Sequence, residues 1–566
     1  MSSSSFSLRS NLRGFLGLRV LSSFGRLSHP CGGGFHFVRS SSASASSSSS
    51  ASSSSSASSS SSASSSSGLP AEDASSKSNA DVFWAPFTAR DHHAHGASET
   101  YSFASAAGNY YTTATKPHRQ ILDGVAGLWC CNAGHGRERI TKAVTEQMRT
   151  LDYAPSFNMS HPIAYEWARR LVDLAPDNYK HAFFAGSGSE AVESALKIAL
   201  AYHRANGQSQ RRILVGRERA YHGTNFGGMS VGGMTNNRKQ FEGSLLPNVA
   251  HMRFPYKPSM RFSRGMPDGF DDDADDFVND LRHIASVHGA ENIAAVIVEP
   301  IMGSGGLFVP PKGYLGKLKS ACEEVGCLLI FDEVITAFGR TGRAFASDSP
   351  DFVRPGVESD KGGMADLVCL AKGLTNAVIP AGAVLAQAHV HDALQTGYEK
   401  MASDENLVAN APRAFHYSGM MPGLFHGYTY SGHPVAAAAG LATLDEYEAE
   451  NLFSHAAQMA PLLEDAVHTL VDVPGGKECI ADVRNYGCAV ALELVPLRNK
   501  STGAPMFGAA GRAFFQFAFE EGLFVRNSGQ GGDHIVMSPP LSITPEDISF
   551  LHDALARSLS RMSQLH

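Results

Sequence analysis

Lys372, at the end of the apolar run in 366-DLVCLAKG, and Asp332, at the end of 328-LLIFDEV, are the residues whose placement points most directly to chemistry. A lysine at such a position is partly desolvated, which lowers its pKa and makes its amine a competent Schiff-base nucleophile. A carboxylate there loses hydration unless a cation or hydrogen-bond donors meet it. One such cation is the protonated ring nitrogen of pyridoxal phosphate, whose charge an aspartate preserves. Each residue also has a plainer reading. Lys372 can be a snorkelling lysine at a strand end, and Asp332 or Glu333 can cap a helix or pair with Arg340 or Arg343.

A third feature is 186-GSGSEAVESALK. Ser187 is placed to cap a helix, Glu190 to complete a capping box, and the glycines to let a phosphate approach exposed N–H groups. Glycine-rich turns of this kind are often only structural, and no GxGxxG fingerprint is present. The ordered combination is the informative part: a phosphate-type turn, the aromatic 221-YHG, Asp332 and Lys372, each where an apolar run ends.

Those runs are 182-AFFAGSGSE, 213-ILVGRERAYHG, 294-AAVIVEP, 328-LLIFDEV, 366-DLVCLAKG and 381-AGAVLA, separated by stretches of helical period such as 188-GSEAVESALKIALAYHRANG. Apolar strands alternating with helices predict an α/β fold with a largely parallel sheet covered on both faces. Ligands gather beyond the carboxyl ends of such strands, where these polar residues fall. In the C-terminal third, 483-VRNYGCAVALELV, 522-GLFVRN and 534-HIVMSPPL predict a smaller α+β domain. Residues 268–280, with five Asp among 271–276, predict a solvated turn and helix start.

The 566 residues, 43% hydrophobic and 18% charged, suffice for two or three domains. The formal charge is −7, but residues 1–70 hold five Arg and no Lys or acid, which leaves 42 basic against 54 acidic residues in the remainder. That balance argues against a nucleic-acid partner. No run approaches the roughly 18 apolar residues of a membrane span. Neither Cys130-Cys131 nor Cys322-x4-Cys327 has zinc-like spacing, so no metal is expected, and the eight cysteines read as buried thiols in a reducing compartment. Arg9, Arg13, Arg19, Arg26 and Arg39, interleaved with Leu12, Phe15, Leu16 and Leu18, predict a transit peptide over 1–39, directed to the mitochondrial matrix with a plastid as the alternative. A disordered basic tail has the same composition. Residues 40–80 read as a linker, of which 40–67 are only Ser and Ala.

The set GSGSE, YHG, VEPIMGSGG, FDEVITAFGRTGR, AKGLTNAVIPAGAV and HGYTYSGHPVAAAAGLATLD closely resembles the class III pyridoxal-phosphate aminotransferases of fold type I. Within them it looks most like the omega-aminotransferases of the beta-alanine:pyruvate type, from about Phe83 to the C-terminus. The resemblance implies a seven-stranded, mostly parallel sheet in a large domain over 151–430. It also implies a small domain built from 81–150 and 431–566, and a homodimer, with a tetramer as the alternative, with shared sites. It makes Lys372 the lysine that carries the cofactor and Asp332 the partner of its ring nitrogen. Ser187 and Gly188 would hold the phosphate, Tyr221 would stack on the ring, Val334 would press on its other face, and Glu299 would support the site. Thr429 would reach the phosphate from the neighbouring subunit. Phe87 and Trp129 would wall the substrate pocket, with core packing the alternative for Trp129, and Arg526 would receive a substrate carboxylate.

Relatives of the GABA type carry a glutamate in a GEGG segment where this chain reads 303-GSGG, so an acid to pair with Arg526 is absent. This weakens 2-oxoglutarate as acceptor and favours a pyruvate-like keto acid. The stretch 399–425 is longer than usual and is placed to reshape the pocket mouth. Decarboxylases and aminomutases of similar appearance share Lys372 and Asp332 and form the competing reading; a scaffold without turnover is disfavoured by the intact pair.

Overall fold

A computed structural model describes residues 83–88, 101–267, 271–352, 364–403, 423–529 and 531–566. The expected leader and linker lie outside these residues, as does most of the stretch 399–425.

An antiparallel run of β1 (Phe103–Ala107), β2 (Tyr110–Thr113) and β3 (Gln120–Asp123) leads through α1 (Glu138–Thr150) and α2 (Pro162–Leu174) into the central sheet. That sheet is formed by β4 (Tyr179–Ala185), β5 (Ile213–Arg217), β6 (Val249–Met252), β7 (Ile293–Val298), β8 (Leu328–Asp332), β9 (Leu367–Ala371) and β10 (Gly382–Gln387), in the order β4-β10-β9-β8-β7-β5-β6. The pairs among β5 to β9 are parallel, and β10 is antiparallel to both neighbours. With only β10 reversed, the carboxyl ends of β4, β5, β7, β8 and β9 fall on one edge.

The residues of β7, β8 and β9 are buried throughout, because helices cover both faces. One cover is α3 (Gly188–Ala205), whose Val192, Ala195, Leu196 and Ala199 pack on the sheet. Fully burying a side chain such as Leu196 stabilises by about 1.5–3 kcal/mol, so Leu196→Asp would replace that gain with an unpaired buried charge. The acidic run 271–276 begins α4 (Asp271–His288). Its carboxylates pair with Lys257, Arg253 and Lys317 at the surface, where such pairs contribute little. Further cover comes from α5 (Tyr314–Val325) and α6 (Ala388–Ser403), and the chain leaves the sheet through α7 (Pro434–Ala449) and α8 (Leu452–His468).

Beyond α8, β11 (Ile480–Tyr486) and β12 (Ala489–Leu494) form a hairpin turning at Gly487, whose φ of +57° suits glycine. After α9 (Ala509–Glu520), β13 (Leu523–Phe524) pairs in parallel with β3, joining the two ends of the described chain in one sheet. β14 (Arg526–Ser528) and β15 (His534–Met537) complete the order β11-β12-β15-β14, and α10 (Pro545–Met562) closes the chain behind a capping box at Thr544 and Asp547. Among the described residues no helix is long and apolar enough to cross a membrane.

Candidate functional site

Ser187, Tyr221, Glu299, Asp332 and Lys372 leave five different strands at the shared carboxyl edge and line one cavity of about 150 Å³, together with Gly188 and Val334. The Ser187 hydroxyl caps α3 by accepting the Glu190 N–H at 3.2 Å. The reciprocal bond departs from the expected capping box: Glu190 Oε2 accepts the N–H of Gly186, one residue before the cap, at 2.7 Å. Glu190 therefore does not bond the Ser187 backbone N–H as a capping box would. A Cβ at Gly188 would sit 3.1 Å from Val334 Cγ1 and 3.3 Å from Ala371 Cβ, so a side chain there would press on the residues that end β8 and β9.

Asp332 is 6% exposed. Its Oδ2 lies 2.9 Å from His222 Nδ1 and its Oδ1 accepts the Val334 N–H at 3.1 Å. It does not pair with Arg340, which is held by Asn132 and by the carbonyls of Cys488 and Pro539. Glu333 turns the other way and accepts from Thr336, Ala346 and Ser347. Glu299 is likewise buried, accepting the N–H groups of Gly303 at 2.8 Å and Tyr221 at 3.2 Å, and burial pushes its carboxyl up.

Lys372 follows β9 with φ +55°, a left-handed conformation rare for a residue with a side chain. Burial lowers its amine to about 8, against the opposing pull of Asp332, Cys130 and Glu299. A substantial neutral fraction near pH 7–8 is what a nucleophilic lysine needs. Tyr447 fixes the next residue by donating its hydroxyl to the Gly373 carbonyl at 2.7 Å.

His222 is the residue that sequence reasoning passed over. It is 1% exposed and lies in the quoted YHG segment, but only its tyrosine had been assigned. Ile301 and Ile335, which fall inside the quoted VEPIMGSGG and FDEVITAFGRTGR segments with no role assigned to them, also line the cavity.

Arg526 and Phe87 do not line this cavity. They share a second one of about 530 Å³ with Tyr101, Phe515 and Phe524, and Phe87 is 78% exposed. Arg526 makes no ion pair with any described carboxylate. The 303-GSGG turn abuts its strand, since the Ser304 carbonyl accepts from Ser528 Oγ at 2.7 Å and from Gly529 N–H at 3.1 Å. Trp129 is not a cavity wall in this chain: it is 3% exposed within the main core, as the packing alternative requires. Thr429 is exposed and away from the cavity, its carbonyl accepting the Tyr153 hydroxyl at 3.0 Å. Cys130 and Cys131 are half-buried, a correction to the expectation that every thiol is buried; the reason is their seat in a loop between β3 and α1.

A glycine-lined helix start for a phosphate, a buried carboxylate for a ring nitrogen, and a lysine with a lowered pKa suit pyridoxal phosphate. The mostly parallel seven-stranded sheet with this site at its carboxyl edge defines a pyridoxal-phosphate enzyme of fold type I. Residues 93–559 match the aminotransferase class-III family model, and the chain belongs to that family of pyridoxal-phosphate-dependent aminotransferases. It is 43% identical over 486 residues to an omega-aminotransferase of Caulobacter vibrioides, covering 86% of this chain and 98% of the relative. It is 38% identical over 490 residues to a beta-alanine–pyruvate aminotransferase of Pseudomonas aeruginosa, covering 87% and 98%. An amine transaminase structure from an uncultivated Pseudomonas species superposes with a TM-score of 0.71 at 32% identity, covering 85% of this chain and 98% of that one.

These relatives correct the organelle expectation. The Caulobacter and Pseudomonas proteins are bacterial, and a mitochondrial gamma-aminobutyrate transaminase of rice is more distant, at 31% identity over 453 residues. The arginine-rich composition that suggested import is equally that of a basic tail, so the mitochondrial and plastid assignments are withdrawn.

Proposed function

We propose that the chain moves an amino group from a beta-alanine-like omega-amino acid or amine to pyruvate, giving an aldehyde and alanine. The observation that carries this reading is Arg526 without a carboxylate partner beside the 303-GSGG turn. A free guanidinium offers a two-pronged donor set to a keto-acid carboxylate, and no acid stands by to neutralise it when a longer dicarboxylate is absent. The names of the Caulobacter and Pseudomonas relatives support the same choice.

Pyridoxal phosphate, when bound, supplies the electrophilic carbon and the electron sink for the transfer. Ser187 and Gly188 hold its phosphate at the start of α3, Tyr221 and Val334 flank the ring, and Asp332 holds the proton on the ring nitrogen. Lys372 would serve as the base that takes the proton from the donor's amine-bearing carbon and returns it as an acid. Phe87 shapes the substrate side, and Glu299 holds the Tyr221 backbone in place.

Two copies share their sites in this reading, with Thr429 serving the neighbouring phosphate. Exposed Tyr153, Phe157, Met159 and Tyr430 support it as an apolar face around that threonine. The large domain extends over 151–430, and the small one combines 81–150 with 431–566.

The test is a panel of amines against pyruvate, glyoxylate and 2-oxoglutarate, reading alanine, carbon dioxide and the cofactor spectrum in each half-reaction. Alanine formed in step with aldehyde supports the reading. Carbon dioxide release, or turnover without a keto acid, overturns it in favour of a decarboxylase or an aminomutase.

A further inference from the structure

The loop between β3 and α1 is anchored at both ends while its middle carries two adjacent thiols. Asp123 accepts the N–H groups of Val125 and Gly127 at 3.0 and 2.6 Å and meets His135 Nε2 at 2.8 Å. On the far side Asn376, four residues beyond Lys372, bonds the Ala133 N–H and the Gly134 carbonyl at 2.9 and 2.8 Å. Between these anchors the backbone takes positive φ at Ala126, Gly127 and Trp129. The result places Cys130 Sγ and Cys131 Sγ 4.0 Å apart, with the Leu128 N–H donating to Cys130 Sγ at 3.3 Å. Both side chains are half-buried, whereas Cys322, Cys327, Cys369, Cys479 and Cys488 are buried.

We propose that Cys130 and Cys131 form a redox-active dithiol, which a hydroperoxide closes to a disulfide and a small thiol reopens. The hydrogen bonds from the Cys131 thiol and the Leu128 N–H, with a smaller pull from the Lys372 charge while that amine is free of cofactor, lower Cys130 to about 6, so it stands as the thiolate that attacks. Its sulfur takes one peroxide oxygen; the O–O bond breaks and water or an alcohol leaves, giving a sulfenic acid. The Cys131 sulfur then attacks Cys130 Sγ, the S–O bond breaks and a second water leaves. Two thiols have lost two electrons and two protons, and the peroxide has gained them.

Cys131 is itself held protonated, chiefly by the neighbouring Cys130 and by burial. The first step removes that neighbouring charge and so frees Cys131 for the second. Adjacent Cα atoms stand about 3.8 Å apart across a trans peptide, shorter than the separation of about 4.4 Å or more that an unstrained disulfide prefers. The ring is therefore strained, and strained, accessible disulfides are the readily reduced ones. Closure also removes a negative charge beside Lys372 that raises its pKa.

The test treats reduced, full-length holoenzyme with equimolar hydrogen peroxide and reads thiols and mass rather than turnover, so it is independent of the substrate assignment. Two of the eight thiols disappear in denaturing titration, the peptide holding both cysteines becomes lighter by about 2 Da, and dithiothreitol restores both. In C131S the reaction stops at a Cys130 sulfenic acid that dimedone traps; in C130S neither product forms. Oxidation mapping to other cysteines, or oxygen added to Cys130 in the wild type with no bond to Cys131, overturns the proposal.

Discussion

His222 Nδ1 lies 2.9 Å from Asp332 Oδ2, with both side chains almost wholly buried, while His222 Nε2 has no hydrogen-bond partner among the described residues. A carboxylate can only accept, so a ring proton belongs on Nδ1. The histidine thus fixes the rotamer of Asp332 from behind. His222→Phe leaves a buried carboxylate short of one donor, a loss of about 1–3 kcal/mol. We expect weaker cofactor retention and a fall in kcat of about 10- to 100-fold, with the fold intact; a spectrophotometric titration of cofactor into stripped protein checks the first. Unchanged cofactor affinity would show that the Val334 N–H alone orients Asp332.

Lys372 gives a pH signature in protein stripped of cofactor. Its amine titrates near 8 when folded, against an ordinary 10.5, because burial disfavours the charged form. Between these values the unfolded chain binds more protons, so this residue's contribution to stability rises with pH across that window. Wild type should gain thermal stability relative to Lys372→Met as pH climbs from 8 to 10.5, as read by Tm. Parallel curves for the two proteins would contradict the lowered pKa. Lys372→Ala should also abolish turnover and remove the mass tag that borohydride leaves on the cofactor-carrying peptide.

The positions of Asp332 and Lys372 were legible because a polar group closing an apolar strand is a conflict that only a partner resolves, and the two conflicts repeat at one sheet edge. The capping serine was legible for the same local reason. Contacts between distant segments were not. Nothing in 249-VAHM, a short strand half exposed to its neighbours, marks β6, and nothing local announces that β3 pairs with β13 some 400 residues later. Trp129 illustrates the limit of residue type: a large aromatic suits a pocket wall and a core equally, and its burial in this chain is decided by how the loop after Asp123 is tied down. His222 was hidden in plain view, since a buried histidine has no pattern of its own until the carboxylate it meets is located in space.

Arg526 makes specificity testable through charge alone. Arg526→Gln should lower kcat/KM for pyruvate by about 100-fold, the equivalent of losing a charge-assisted pair of about 2–3 kcal/mol. A donor without a carboxylate should be nearly unaffected in its own half-reaction. Ser304→Glu tests the same point from the other side: the turn touches the strand of Arg526 through Ser528 and Gly529, so a new carboxylate there should compete for the guanidinium and raise KM for pyruvate. Equal losses for both substrate classes in either variant would move Arg526 from carboxylate recognition to support of the fold.

Cys130 should alkylate at a pH where ordinary cysteines are inert. The leading cause of its lowered pKa is the hydrogen bond from Cys131, ahead of the Leu128 N–H and the Lys372 charge, while burial and, more weakly, Asp123 oppose them. The rate of iodoacetamide labelling, followed on the peptide that contains Cys130, should therefore rise with a midpoint near 6. In C131A that midpoint should move up toward the ordinary value of 9.0, because the thiolate loses its strongest donor. Lys372→Met should move it in the same direction by a smaller amount, since a coulombic contribution ranks below the two hydrogen bonds. Were Lys372→Met to move it further than C131A does, the lysine would be the dominant partner, and the thiolate would belong to the cofactor site more than to its neighbouring thiol.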